Sequence, residues 1–335
     1  MTTYDIYAIG NALVDSEYEV SDAQLQALGV EKRRMTLIDT ERRAELLGQL
    51  QHLAPRRTGG GSAGNTVVAL SQLGGKAFYS CRVAADELGA FYTEDLVANR
   101  VDTNLTRTQD TAGVTGSCTV LVTPDAERSM STFLGVSAEL DITSLDEQAI
   151  AQAKIYYMEG YLAASPTGLQ AALKGRQIAE EHGVLLATTL SDVSMIQFCR
   201  DGLTAIIGQR LDYLFCNEEE AQAWCGTEDL KSVCEQISKL AGTVCLTRGP
   251  NGCIVIEGQS HTVVLASEVK AIDTNGAGDM FAGAFLYAVT HGYSHADAAW
   301  LANLTAAGIV IQHGNRLTQD KMDAIKSRFE QQVGD

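Results

Sequence analysis

Ala271-Ile272-Asp273-Thr274-Asn275-Gly276-Ala277-Gly278-Asp279-Met280-Phe281 places a carboxylate among small residues at the start of a helix. Downstream, Met280 to Val289 is almost wholly apolar, the pattern of a helix buried on all sides. Upstream, His261 to Ile272 carries the Val-rich pattern of a strand. The small residues between them let the backbone approach a ligand closely, and the first amides of a helix lack internal partners. Those amides and the helix dipole attract an anion such as a phosphate. Asp279 sits in the same first turn. An anion site beside a carboxylate suits phosphoryl transfer to a hydroxyl; the plainer alternative is an Asp that only complements the dipole.

Around this stretch, short apolar runs alternate with helical patterns. Strands are expected at Tyr4–Ile9, Ala77–Val83, Ile155–Met158, Val184–Thr188, Tyr213–Cys216 and Val244–Thr247. Helices are expected at Gly64–Leu73, Leu88–Asn99, Thr167–Glu181, Lys231–Leu240, Ala277–Thr290 and His295–Gln312. Such alternation predicts an α/β fold with a mostly parallel sheet covered by helices on both faces, and ligands at the carboxyl ends of its strands. Two regions break the pattern. Leu13–Val20 and Met35–Ile38 read as extended, and Ala112–Gly135 reads as two β-rich runs around a turn at Thr123-Pro124-Asp125-Ala126. They suggest a small separate sheet that covers a site. With no linker or repeat, the chain reads as one domain over residues 1–335, with lid segments at approximately 13–38 and 112–135.

Composition narrows the function. The 335 residues carry 25 basic and 42 acidic side chains, a formal charge of −17 that opposes nucleic-acid binding. A small anionic ligand remains compatible, because it feels only the local field. No apolar run is long enough to span a membrane, and Asp5 interrupts the N-terminal one, so neither a membrane anchor nor a signal peptide is expected. Eight scattered cysteines without Cys-x-x-Cys spacing predict free thiols in a reducing, cytoplasmic setting.

Further segments could carry chemistry. Gly59-Gly60-Gly61-Ser62-Ala63-Gly64-Asn65 fits the spacing of a dinucleotide fingerprint, but Ala54-Pro55-Arg56-Arg57-Thr58 precedes it in place of a buried strand. Gly60 and Gly61 would instead let backbone amides approach substrate hydroxyls, with Asn65 adding an amide; a tight turn alone explains the glycines equally well. Asn11 and Asp15, after the first strand, suit either a polyol grip or a turn. Asn217-Glu218-Glu219-Glu220 follows a strand, where Glu220 could hold Mg²⁺ through water; helix capping by Asn217 is compatible with that. Thr247-Arg248-Gly249-Pro250-Asn251-Gly252 reads as a hairpin turn or a nucleotide edge. Asn303, in an apolar helix, is either a satisfied buried amide or a nucleobase contact.

Taken together, these segments resemble the PfkB (ribokinase-like) family of carbohydrate and nucleoside kinases from about Tyr4 to Leu317. Asp273-Thr274-Asn275-Gly276-Ala277-Gly278-Asp279 is similar to that family's D-T-x-G-A-G-D motif. Gly60–Asn65 running into Gly74-Gly75 resembles its second glycine motif, and Asn217-x-x-Glu220 its N-x-x-E magnesium motif. The resemblance implies a ribokinase-like three-layer α/β/α fold with a β-sheet lid, an ATP- and Mg²⁺-dependent reaction, and a monovalent-cation requirement left open. It implies Asp279 as general base and the amides of Gly276, Ala277 and Gly278 as an anion hole. The segment with Gly60, Gly61, Ser62 and Asn65, together with Asn11 and Asp15, would hold the acceptor. Thr247, Gly249, Gly252, Thr274, Asn217 and Asn303 would line the nucleotide side. Gly10-Asn11-Ala12-Leu13-Val14-Asp15 and Thr115-Gly116-Ser117-Cys118 resemble adenosine-kinase segments, so Leu13, Cys118, Phe133 and Tyr161 are expected to form an apolar purine slot. Ala12 and Ala63-Gly64 depart from those segments, and Val122–Met130 looks like a sugar-kinase lid. The acceptor is therefore expected to be adenosine, with ribose, fructose or a related keto-sugar as the alternative, and the assembly a monomer or a lid-mediated homodimer.

Overall fold

The computed structural model describes residues 3–106, 112–125 and 127–333. Nine strands form the larger sheet: β1 (Tyr4–Ile9), β5 (Ala77–Ser80), β6 (Asp102–Thr103), β9 (Ala153–Met158), β10 (Leu185–Thr189), β11 (Leu211–Asn217), β12 (Ala241–Thr247), β13 (Cys253–Glu257) and β14 (Ser260–Val264). Their order is β14-β13-β12-β11-β10-β9-β1-β5-β6, parallel from β6 to β12 and antiparallel beyond. β1 lies inside the sheet, between β5 and β9, so both its faces are covered and its sequence is apolar apart from Asp5. Ile6 and Ala8 join the core beneath helices Ser62–Gln72 and Ala277–Thr290, while Tyr7 and Ile9 join the core beneath helix Pro166–Glu181. That split is the two-residue alternation of a strand.

The smaller sheet contains β2 (Leu13–Glu19), β3 (Met35–Leu37), β4 (Arg56–Gly60), β7 (Ser117–Val122) and β8 (Arg128–Phe133), in the order β3-β8-β7-β2-β4. Tyr18 and Leu121 on its outer face pack with Leu25, Leu28, Leu46 and Leu50 of two covering helices. The three-layer arrangement and second sheet agree with the fold class expected from sequence. Of the turn after β7, Thr123 donates its N–H to Glu127 O at 3.0 Å and its hydroxyl to Asp125 Oδ1 at 2.6 Å; Ala126 lies outside the described residues.

Two expectations need correction. The strand read over His261–Ile272 is only β14, which ends at Val264. Beyond that point the carbonyls of Val264 and Leu265 accept from the Asn303 amide at 2.9 and 3.3 Å rather than from another strand. The glycine run is also preceded by a strand after all. That strand, β4, is antiparallel to β2 at the edge of the small sheet, so the parallel β-α-β unit of a dinucleotide site is not formed. All eight cysteines are free thiols.

Candidate active site

Helix Ala277–Thr290 begins at Gly276, whose φ of 75° is a left-handed conformation that a side chain would strain. A Cβ there would also lie 2.8 Å from the Asn315 carbonyl. The Ala277 N–H turns back to Thr274 O at 3.2 Å, so it is already engaged, whereas a Cβ at Gly278 would meet nothing within 4 Å. The space an incoming anion needs is therefore beside Gly278. Asp279 follows in the first turn. Its Oδ1 accepts from Ser62 Oγ at 2.6 Å and its Oδ2 from Asn65 Nδ2 at 2.8 Å. Burial pushes its carboxyl up to about 6, against the pull of those two donors and of the Arg316 charge.

Ser62 and Asn65 occupy the first turn of helix Ser62–Gln72, which starts at Gly61 with a φ of 85°. A side chain at Gly61 would collide with the Asn11 carbonyl, and one at Gly60 would come within 2.7 Å of Asp15 Oδ1. The glycines thus bring the helix start against the β1–β2 connection. Asp15, on β2, accepts from Asn315 Nδ2 at 2.8 Å. Burial pushes it up to about 7, opposed by Arg128 and Arg316.

Asn11 is held by a carboxylate. Its backbone N–H and Nδ2 donate to Glu159 Oε1 at 3.2 and 2.9 Å, and Ala63 N–H donates to Glu159 Oε2 at 2.9 Å. Glu159 is 1 % exposed, and burial pushes it up to about 7. Asn11 Oδ1 and Asn315 Oδ1 are buried with no hydrogen-bond partner among the described residues, and their amide nitrogens bond Glu159 and Asp15.

The expected apolar slot forms only in part. Asp15 is paired with Cys118, and Cys118 with Thr132, so these three share one face of the small sheet; Leu13, two residues from Asp15, is on that face too. Burial pushes the Cys118 thiol up to about 12. Tyr161 follows β9, with its hydroxyl donating to Ser191 O at 3.4 Å. Phe133 does not join them. It pairs with Ser117, one register step from Cys118, and its ring lies beneath Arg43, 5.3 Å from the guanidinium carbon. Arg43 Nε also donates to Ser117 Oγ, so both residues face the covering helix Thr40–Leu50.

On the other side of Gly278, Thr247, Gly249, Gly252, Thr274 and Asn303 line a cavity of about 420 Å³, with Val269, Phe281 and Val310 among its apolar walls. Asn303 is a satisfied buried amide on this wall, its nitrogen committed to the end of β14. Asn217 ends β11 and caps helix Glu218–Cys225 reciprocally with Glu220: Glu220 N–H donates to Asn217 Oδ1 at 2.8 Å, and Asn217 Nδ2 donates to Glu220 Oε1 at 2.7 Å. Arg128 of β8 crosses from the small sheet to the anion-hole segment, meeting Asp273 at 2.5 Å and Glu17 at 3.0 Å.

This arrangement has counterparts in known proteins. The pattern describing pfkB family carbohydrate kinases matches residues 34–322. The chain belongs to the pfkB family. The solved adenosine kinase of Sinorhizobium meliloti is 34% identical with a TM-score of 0.86, covering 97% of this chain and 99% of its own. A probable sugar kinase from Rhizobium etli CFN 42 is also 34% identical, with a TM-score of 0.87 and coverage of 100% and 99%. Adenosine kinase 1 of Arabidopsis thaliana is 25% identical over 341 residues, 95% of this chain and 97% of that protein. As a pfkB family kinase, the protein is an ATP-dependent phosphotransferase.

The Asn217–Glu220 pair is compatible with magnesium held through water. Among the described residues no three His, Cys, Asp or Glu side chains are grouped to hold a metal. Glu220 already accepts from Asn217 on both oxygens, which leaves one lone pair on each for a metal-bound water. Sequence reasoning missed Glu159, Asn315, Arg316 and Arg128. Glu159 had a readable signal, a charged residue directly after a buried parallel strand. The other three had none.

Proposed function

We propose that this kinase phosphorylates the primary hydroxyl of a nucleoside, adenosine being the acceptor, with Asp279 as general base and the small sheet as a lid over a single kinase domain. The observation that carries the reading is Asp279 itself, held by Ser62 and Asn65 beside the open flank of Gly278. Both donors stabilise the ionised carboxylate, which is the form that accepts a proton. The acceptor hydroxyl gives its proton to Asp279 as its oxygen bonds to the γ-phosphorus of ATP, and the bond from that phosphorus to the ADP oxygen breaks. Within Gly276–Gly278 the Ala277 N–H is turned to Thr274, so the Gly278 end of this backbone meets the charge that develops on the transferred group. Mg²⁺, when bound, supplies charge neutralisation on the phosphates, with Glu220 and Asn217 ordering its waters. Asp15 and Asn11 hold the acceptor's secondary hydroxyls. Closure of the small sheet excludes water, which would otherwise compete for the phosphoryl group.

Leu13 and Cys118 on the Asp15 face, with Tyr161 after β9, support a purine beside the ribose, as do the relatives named adenosine kinase. One observation favours a sugar instead. With Phe133 on the far face, the apolar wall is short, while the free Asn11 Oδ1 and Asn315 Oδ1 suit a polyol. ATP-to-ADP conversion, with products identified by mass, separates the two. The acceptors are adenosine, inosine, guanosine, ribose, fructose, fructose 6-phosphate and 2-keto-3-deoxygluconate. Turnover with adenosine in preference to the sugars is expected; turnover with a sugar alone replaces the nucleoside reading and keeps the base.

A further inference from the structure

Four side chains form a line that ends at the base. Asp95, on helix Glu87–Ala98, pairs with Arg316 Nη1. Arg316 Nε donates to Asn65 Oδ1 at 2.9 Å, and Asn65 Nδ2 donates to Asp279 Oδ2 at 2.8 Å. A carboxamide has one accepting end and one donating end. An N–H on its oxygen therefore fixes which end meets the carboxylate. We propose that Arg316 is a positioning residue for the transfer: it sets the Asn65 amide so that its NH₂ faces Asp279, keeping the base ionised and aimed. The inference rests on the proposed base role of Asp279.

The glycine run supports this with a second, independent observation. A Cβ at Gly59 would lie 2.6 Å from Arg316 Nη1 and would also collide with Asp95. A Cβ at Gly64 would collide with the Tyr92 hydroxyl instead. Gly59 thus leaves room for the guanidinium, a use separate from approach to a ligand. Nor is the arginine there for stability alone. Its side chain is 9% exposed and its Nη2 is buried without a hydrogen-bond partner. Burying a charge with an unmet N–H is a poor route to stability.

The surrounding charges make Arg316 consequential. Asp279 faces Ser62 and Asn65 from their helix and Arg316 from the segment after helix His295–Val310. Asp15 of β2, with Arg128 of β8 beyond it, lies on the small-sheet side. Glu159 and the hydroxyls of Tyr157 and Tyr161 come from β9 and the turn after it, and Glu220 from the start of its own helix. Among the described residues Arg316 is the cation that lowers Asp279. Without it, the base is left among carboxylates.

The experiment measures kcat and KM against pH for the wild type, Arg316→Met, Arg316→Lys, Asn65→Ala and the Arg316→Met/Asn65→Ala double variant, using whichever acceptor the wild type phosphorylates. Arg316→Met is expected to move the acid limb of kcat/KM upward by about one pH unit, the effect of losing a nearby opposite charge. It should lower kcat at neutral pH by about tenfold or more with little change in the KM for ATP. Arg316→Lys, which keeps the charge, should return the limb toward the wild-type position. Above the acid limbs, where the charge effect no longer matters, kcat of the double variant should be no lower than that of the more severe single one, because that loss acts through one amide. A limb that stays in place, or losses that multiply, overturns the proposal. Should Arg316→Met fail to fold, Arg316→Gln removes the same charge with a polar side chain, and an unmoved limb there overturns it equally. Wild-type turnover with no shift in any variant refutes Arg316 alone; full activity in Asp279→Asn refutes the base, and Arg316 with it.

Discussion

On the side proposed for the nucleotide, a cavity of about 420 Å³ is walled by short turns and apolar side chains, Gly249 and Gly252 from one hairpin and Thr274, Ala277 and Gly278 from one helix start. On the side proposed for the acceptor, Asp15 of β2 is held by Asn315, Glu159 by Asn11 and the Ala63 N–H, and Asp279 by Ser62 and Asn65. The first half is a shape made by local backbone. The second is a set of mutual commitments between distant residues, several with carboxyls pushed up to about 6 or 7. A change on the first side should therefore alter ATP affinity and little else, whereas a change on the second should move chemistry, acceptor affinity and pH response together.

The strongest way to break this contrast is Asp279→Asn. It is expected to lower kcat by about 10²–10⁴, the usual worth of a general base, with the KM for ATP nearly unchanged. A loss under about tenfold in steady-state turnover would remove the base from the acceptor half. Gly61→Ala comes next. With a φ of 85° and the Asn11 carbonyl in the way, it should cost about 1–3 kcal/mol of stability and raise the acceptor KM. Thermal melts and separate KM determinations read both effects. An ATP KM that rises in parallel would show the two halves to be one.

The pH response sharpens the comparison further. Asp279 at about 6 and Asp15 at about 7 act in their ionised forms, so kcat/KM should rise with pH through that window. An acid limb below pH 5 in a full profile would break it. Stability should run in the opposite sense. Glu159 has a folded value of about 7, above its ordinary 4.5, so the folded state holds the extra proton across that interval. Its contribution is full at lower pH and is lost as pH rises through about 7; melting temperature should fall over that range, and Glu159→Gln should flatten the slope. The smallest expected effect is at Phe133. Phe133→Leu should leave the acceptor KM within about twofold and lose only an Arg43 contact worth about 0.5–1 kcal/mol in a melt. A large rise in acceptor KM would return that ring to the purine slot.

The same division explains what could be read from sequence. β1 and helix Ala277–Thr290 have the expected boundaries, because burial writes itself as a long apolar run, broken only by Asp5 in the strand and by Asp279 in the first turn of the helix. Helices Thr40–Leu50 and Gln319–Val333 escaped notice, since each buries two residues, Leu46 and Leu50 in one, Met322 and Phe329 in the other. Phe133 was recognisable as apolar, but which face it takes depends on a single step of register. The glycines of the nucleotide edge carry their geometry locally. Asn315 and Arg316 find their partners 300 and 251 residues away, and nothing near them announces it.

That separation has a consequence in time. β1 and Asp15 stand near the N-terminal end, and Asn315 reaches Asp15 across 300 residues. A chain emerging from a ribosome at about 5–20 residues per second would wait on the order of tens of seconds between synthesis of the two. The walls of the cavity, by contrast, all fall between Thr247 and Val310 and are made within about 3–13 seconds of one another. The acceptor grip joins Asp15 to a partner made after every one of those walls, so a nascent chain ending short of Asn315 lacks the finished partner for Asp15.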